Sequence, residues 1–322
     1  MSIEQCPCCG CTAEFRSVPY DRNPSEHKWT YNCFKGKSLV ACPSCGSYFT
    51  KENISDNELN EFYSSLYQRT SVAAMDESGL YEFYPRFFSQ ALFLKTHVNL
   101  FDGIRILEIG PNQVSALPAI SLFCKPIYCY FEQYEFPVIK HFGGKWLGHY
   151  FSQDYIDSQT KVDKFDLVVM SHSLEHVNPG NLHNTIKSLY AVLENNGHLF
   201  IEVPDQIIGD KPPPHTLFFT IEGLRALLES EGFRVTGLQS VDGKASGQHA
   251  LAPSKGGAVK INRSFLLKLI LRSIGLCSKI PFMMRFLRPV LLRLVLKDKI
   301  KEIGVPYSHI PYLRMVAKKT SN

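Results

Sequence analysis

The stretch Ile104-Arg105-Ile106-Leu107-Glu108-Ile109-Gly110, closed by Pro111, decides the fold. Its apolar residues form a short run that breaks at Gly-Pro, which predicts a buried strand of a parallel sheet. Glu108 is the odd member of the run. A carboxylate there is costly unless a lysine or a backbone N–H meets it. Gly110 allows a sharp turn at the carboxyl end of the strand, where open α/β sheets admit ligands.

Outward from this strand, the pattern alternates. Apolar runs predict strands at 104–110, 126–132, 146–151, 165–171, 197–203, 233–239 and 310–317. Helical spacing predicts helices at 114–124, 134–142, 181–194 and 220–231. Alternation of this kind predicts a parallel sheet with helices on both faces. Upstream, Ser55 and Glu58 have the spacing of a capping box, and Leu59, Phe62, Tyr63, Leu66 and Tyr67 recur at helical intervals. A helix is expected over 55–67, a hinge in the small and polar stretch 68–80, and a second helix from about Pro85 to Leu100.

The N-terminus repeats itself. Cys6-Pro7-Cys8-Cys9-Gly10 and Cys42-Pro43-Ser44-Cys45-Gly46 both read C-P-x-C-G. The glycine after the second cysteine permits a tight knuckle whose backbone N–H groups face the thiolates. Two such knuckles supply the four thiolates that suit tetrahedral zinc, so Cys6, Cys9, Cys42 and Cys45 are the expected ligands. Cys8 and Cys11 offer a second register at the same spacing, with Thr12 in place of the glycine.

Composition sets bounds. The chain has 322 residues, enough for one sizeable core and a smaller module. It contains no 18-residue apolar run, and its start lacks the basic and apolar regions of a secretory signal. Ten cysteines in that setting point to metal ligation in a reducing compartment, and the cytoplasm is the expected location. The net charge of +5 is unevenly spread. Residues 255–301 hold 12 Lys/Arg and one acid, Asp298, whereas the remainder holds 23 basic and 29 acidic residues. A local basic feature, rather than a general nucleic-acid surface, is the reading. Phe265, Leu266, Leu269 and Ile270 share one helical face there, with Lys268 and Arg272 off it. Arg285, Arg288, Arg293, Lys297 and Lys301 repeat the design. The segment is expected to be a helical lid with a solvated basic face; a membrane-surface anchor is the less favoured alternative.

A strand that carries an acid, ends in glycine and precedes a helix resembles the first motif of class I S-adenosylmethionine-dependent methyltransferases. Later stretches extend the resemblance. PIYCYFE ends on Glu132, FSQDYI carries Asp154, and FDLVVMSHSLEHV resembles the family's fourth strand and its leucine-glutamate-histidine ending. NNGHLFIEVPD, HTLFFTIEGLRALLESEGFRV and YLRMVAKK resemble the fifth strand, the following helix–strand unit and the closing strand. The resemblance covers about residues 85–240 and 308–319. With the knuckles in front, the chain is similar to methyltransferases that carry an N-terminal zinc-ribbon-like segment, some of which act on sugars and nucleotide sugars.

The resemblance implies a Rossmann-like, doubly wound sheet of seven strands, the last one antiparallel, preceded by a small zinc-binding module. The implied segments are a zinc-ribbon-like module at 1–50, helical connections at 51–103 and a methyltransferase domain at 104–322, with a basic helical insertion at about 243–305. It implies S-adenosylmethionine as cofactor, with Glu132 accepting from both ribose hydroxyls and Glu108, Gly110, Asn112, Asp154, Ser171 and His172 as further contacts. Pro111-Asn112-Gln113-Val114-Ser115 stands where the family has two more glycines; Asn112 tolerates the left-handed turn at modest cost. The implied acceptor is a small-molecule, saccharide or nucleotide-sugar hydroxyl, and an anionic one would suit a basic lid. An oxygen nucleophile must lose its proton, for which a histidine is suited near neutral pH. His215 and His176 are the candidate bases. The altered loop after Gly110 leaves one alternative, a methyltransferase-like binding or scaffold module without catalysis.

Overall fold

The computed structural model describes residues 4–19, 33–34, 36–63, 87, 89–111, 115–132, 135–136, 139–140, 142–149, 164–204, 215–241 and 312–320. Asn112, Asp154, Leu66, Tyr67, the stretch 68–80 and the basic segment 255–301 lie outside these residues. No described helix is long and apolar enough to cross a membrane.

Eleven strands form two sheets among the described residues. The smaller sheet contains β1 (Arg16–Pro19), β2 (Ser38–Ala41), β3 (Tyr48–Thr50) and β9 (Leu217–Phe218), in that order. The larger sheet has seven strands: β4 (Arg105–Ile109), β5 (Ile127–Phe131), β6 (Lys145–Gly148), β7 (Phe165–Ser171), β8 (Leu193–Pro204), β10 (Phe233–Val241) and β11 (Tyr312–Lys319). Their order is β10-β11-β8-β7-β4-β5-β6. β4 runs parallel to β5, β5 to β6, and β7 to β8, whereas β11 runs antiparallel to β8. This is the Rossmann-like sheet of seven strands that the resemblance implies, with the closing strand antiparallel.

The chain divides into two compact units. One comprises 1–74, 151–240 and 310–322; the other comprises 75–150 and 241–309. In the first unit, β1 to β3 form an antiparallel meander around the cysteine knuckles, and β3 pairs with β9 through Tyr48–Phe218 and Phe49–Leu217. β9 is too short to carry a periodic signal, and the sequence does not announce it. Helix α1 (Asp56–Glu61) starts at the expected capping box: Glu58 N donates to Ser55 Oγ, and Ser55 N donates to Glu58 Oε2. Leu59 and Phe62 on its inner face pack with Phe34, Leu39, Ile54 and Phe218. In the second unit, β4 is buried as its apolar run requires.

Several boundaries differ from the sequence reading. The helix expected at 114–124 is a single turn, α2 (Leu117–Ile120), with Pro118 in its first turn and three turn residues after it. Of 134–142, only 139–140 are helical among the described residues. Helix α3 (Leu182–Val192) passes directly into β8, which therefore starts four residues before the expected 197. Asn196, with φ 65, lies within β8 next to Gly197, which packs against the Glu194 and Phe165 carbonyls. Helix α4 (Ile221–Ser230) is capped by Thr220, whose Oγ1 accepts from Gly223 N.

Candidate functional site

Among the described residues, two groups of side chains in the first unit have the donors and spacing to hold a metal ion. In the knuckle group, Cys6, Cys9, Cys42 and Cys45 bring their sulfurs within 4.8 Å of one another. Gly10 and Gly46 adopt φ of 70° and 74°, and each donates its N–H to the carbonyl of the first cysteine of its knuckle. Across the knuckles, Cys6 Sγ lies 3.7 Å from Cys45 Sγ, and Cys9 Sγ lies 3.6 Å from Cys42 Sγ. A tetrahedral zinc with bonds of about 2.3 Å separates its sulfurs by about 3.8 Å. The donor set and spacing fit that ion. Burial opposes ionisation of Cys42, yet N–H groups of Cys45 and Ser44 and the Cys9 and Cys6 thiols outweigh it and bring Cys42 down to about 7. Cys45 moves the other way, because its thiol donates toward Cys6 and is buried. A divalent ion would bind all four as thiolates.

The knuckle is fastened to the chain beyond β8. Thr220 Oγ1 donates to the Cys45 carbonyl at 2.6 Å, Thr220 N donates to Ser47 Oγ, and Thr50 N donates to the Thr216 carbonyl. A Cβ at Gly223 would lie 2.0 Å from Ser47 Oγ, so only glycine lets α4 approach this closely.

The second group lies at the carboxyl end of β7. There the chain turns through a 3₁₀ turn, Leu174–His176, and a second one, Pro179–Asn181. Glu175 is 1% exposed, and a ligating oxygen of its carboxylate, one ring nitrogen of His176 and one of His215 all lie within 4.8 Å of one another. His172 Nδ1 is 3.5 Å from Glu175 Oε1, and its Nε2 is 3.3 Å from Glu202 Oε1. His172 has φ 53, a left-handed backbone that is uncommon outside glycine and here sets the ring between two buried carboxylates. His176 Nδ1 and Tyr63 Oη form a hydrogen bond of 2.7 Å, and the His176 and His215 rings meet edge to face. Burial pushes His215 well below the usual histidine range, and His176 and His172 nearby add to this. Thr216 N donates to the Glu175 carbonyl at 3.0 Å and Thr216 Oγ1 donates to the Val177 carbonyl at 2.6 Å, pinning the residue after His215 to the 3₁₀ turn.

Glu202 on β8 completes this region. It is fully buried and accepts from Arg314 Nε on β11. Ser171 Oγ donates to Glu202 Oε1 at 3.4 Å. Tyr63, Glu175, Glu202 and Arg314 are the polar residues that reading the sequence missed as site residues. Glu175 was visible in the leucine-glutamate-histidine stretch, but its burial depends on Thr216 and His215, 41 and 40 positions away.

In the second unit, the parallel register pairs Ile109 with Phe131, so Gly110 and Glu132 leave the sheet side by side. Gly110 has φ 65 and donates its N–H to the Phe131 carbonyl. Glu132 is almost fully buried; its N–H reaches Gly148, and its carbonyl accepts from Trp146 Nε1. In the Glu108 carboxylate, Oε2 accepts from Ser115 Oγ at 2.6 Å, and Ser115 Oγ also lies 2.7 Å from Tyr128 Oη.

Residues 81–238 match the family model of a methyltransferase domain. Over these residues the chain is similar to S-adenosylmethionine-dependent methyltransferases. No curated protein matches the sequence. Solved structures similar to it include Burkholderia thailandensis 1,6-didemethyltoxoflavin-N1-methyltransferase with bound 1,6-didemethyltoxoflavin and S-adenosylhomocysteine, at 13% identity and a TM-score of 0.48, covering 89% of this chain and 97% of that one. Haemonchus contortus phosphoethanolamine N-methyltransferase 2 in complex with S-adenosyl-L-methionine is 13% identical, with a TM-score of 0.45 and coverage of 85% and 62%. An S-adenosylmethionine-dependent methyltransferase from Archaeoglobus fulgidus is 18% identical, with a TM-score of 0.40 and coverage of 76% and 100%.

Proposed function

We propose that this enzyme transfers the methyl group of S-adenosylmethionine to a hydroxyl of a small molecule, with a saccharide or nucleotide sugar as the favoured class. The observation that carries the cofactor side is the pair at the ends of β4 and β5. Gly110, in a left-handed turn, leaves room for a ligand to approach the backbone, and Glu132 beside it offers two acceptors for a ribose diol. Glu108, held by Ser115, is assigned to the floor of that site, and Ser171 and His172 keep the cofactor-contact roles the resemblance implies. Asn112 and Asp154 keep the roles the resemblance implies. When bound, the cofactor supplies an electrophilic methyl carbon on a sulfonium.

The chain's own residues then have two tasks. Gly110 and Glu132 are assigned to the cofactor, and His215 and His176, whose ring nitrogens lie in reach of one another, are assigned to take up the acceptor's proton. Burial favours a neutral His215, the form that accepts a proton. The four cysteines are assigned to a structural zinc, and the free thiols of the described cysteines support a reducing location such as the cytoplasm.

The experiment is calorimetry with S-adenosylmethionine and S-adenosylhomocysteine on zinc-loaded protein. Micromolar binding that Glu132→Gln weakens is expected. A folded, zinc-loaded protein that binds neither ligand overturns the reading.

A further inference from the structure

We propose that Glu175, His176 and His215 form a second metal site, which holds a divalent first-row transition ion and presents it to the acceptor hydroxyl. The inference rests on the methyl-transfer reading for its purpose, but its geometry stands apart from it. Two imidazoles and one carboxylate are a donor set that suits manganese, iron, cobalt, nickel or zinc, and three protein ligands leave coordination positions open for substrate oxygens.

Three features build the site. The three ligating atoms lie within 4.8 Å of one another, so bonds of about 2.0–2.2 Å need only a small inward movement of side chains. The outer hydrogen bond is in place: Tyr63 Oη engages His176 Nδ1 and leaves Nε2 on the side of Glu175, 3.9 Å from Oε1. Metal-binding histidines are characteristically oriented by such a bond on the second nitrogen. The third feature is rigidity. Residues 175 and 215 come from separate elements, yet Thr216 fastens the two segments through its N–H to the Glu175 carbonyl and its hydroxyl to the Val177 carbonyl. The buried guanidinium nearby, Arg314, faces Glu202, whereas Glu175 faces His172, His176 and His215.

This group differs in kind from the knuckle. Four thiolates select a soft or borderline ion, whereas imidazole and carboxylate also accept manganese. On the ion, an acceptor hydroxyl becomes more acidic. Its O–H bond breaks and the proton leaves to solvent. The oxygen lone pair then forms the O–CH₃ bond while the S–CH₃ electron pair stays on sulfur. With the ion bound, His176 and His215 are its ligands, and the ion takes over from them the task of making the hydroxyl a nucleophile.

Manganese binding to zinc-loaded protein, followed by equilibrium dialysis with elemental analysis of both metals, tests the site. One manganese per chain is expected alongside one zinc. Glu175→Gln and, separately, His215→Asn should weaken manganese binding at least tenfold while zinc content stays at one. Saturation at one metal in total, with manganese, cobalt and extra zinc all refused, overturns the proposal, as does unchanged manganese affinity in both variants. Calorimetry with S-adenosylmethionine on the same samples separates the two readings. Manganese uptake without cofactor binding counts for the metal site and against the proposed cofactor role; cofactor binding without any second metal counts the other way.

Discussion

The knuckle group and the Glu175 group lie in the same unit, and they hold their side chains by opposite means. In the knuckle, each pair of ligands belongs to one short loop that brings its own backbone amides, and the glycines Gly10 and Gly46 close it. In the other group, no loop supplies the set. Glu175 and His176 come from a 3₁₀ turn after β7, His215 comes from the segment before β9, and Tyr63 comes from the end of α1. A local cluster depends on an ion to give it a fold; a distributed cluster depends on the surrounding sheets to give it a shape.

The largest expected effect breaks the first half of that contrast. Structural zinc in small modules contributes on the order of 10 kcal/mol. Chelation, or Cys42→Ser, should therefore abolish protection of residues 4–50 in hydrogen exchange and leave β7 and β8 protected. The Thr220–Cys45 and Thr50–Thr216 bonds predict that 216–220 loosens as well. Full protection of 216–220 in metal-free protein would show that those bonds do not transmit the loss.

Next comes the buried pair beside the distributed group. Removing one partner of a buried ion pair costs about 3–5 kcal/mol. Arg314→Leu should lower stability by that amount in urea denaturation, because it leaves the Glu202 charge in the core. Glu202→Gln together with Arg314→Leu should recover part of it. A cost below about 1 kcal/mol for the single change would mean that the pair behaves as an exposed one.

A third measurement asks whether the cofactor site is independent of both groups. Glu132→Gln removes a charge-assisted acceptor and should weaken S-adenosylmethionine binding by about 1.5–3 kcal/mol, roughly 10- to 150-fold. Zinc content and manganese uptake should not change. The smallest effect belongs to the outer hydrogen bond: Tyr63→Phe keeps the ring packed on His176 but loses the bond, and manganese affinity should fall by about 10-fold, with stoichiometry kept. Equal affinity in Tyr63→Phe would remove Tyr63 from the site's support.

These contrasts explain which parts could be read from the sequence. The apolar run at 104–110 became β4, and the C-P-x-C-G repeats became knuckles, because each signal lies within a few neighbouring residues. The capping box at Ser55 formed for the same reason. Helix α2 shrank to one turn although its apolar residues are all buried, so apolar character there marks burial and not helix length. β9 escaped because two residues have no period. The histidines were legible as loop residues, but Glu175, Tyr63, Glu202 and Arg314 become a site only when residues more than 100 positions apart meet, as Tyr63 meets His176 and Glu202 meets Arg314.

β11 sits between β10 and β8 and pairs with β8 along seven residues. The last of the described strands thus occupies a place inside the sheet. While the ribosome is still making the chain, β8 and β10 have emerged with a gap between them, and each offers an open edge to whatever strand comes near. The Glu202 carboxylate waits through 112 further residues for its guanidinium. A nascent chain stalled before Tyr312 should therefore be a client for chaperones, and a stop codon placed just before Tyr312 should cost the whole fold.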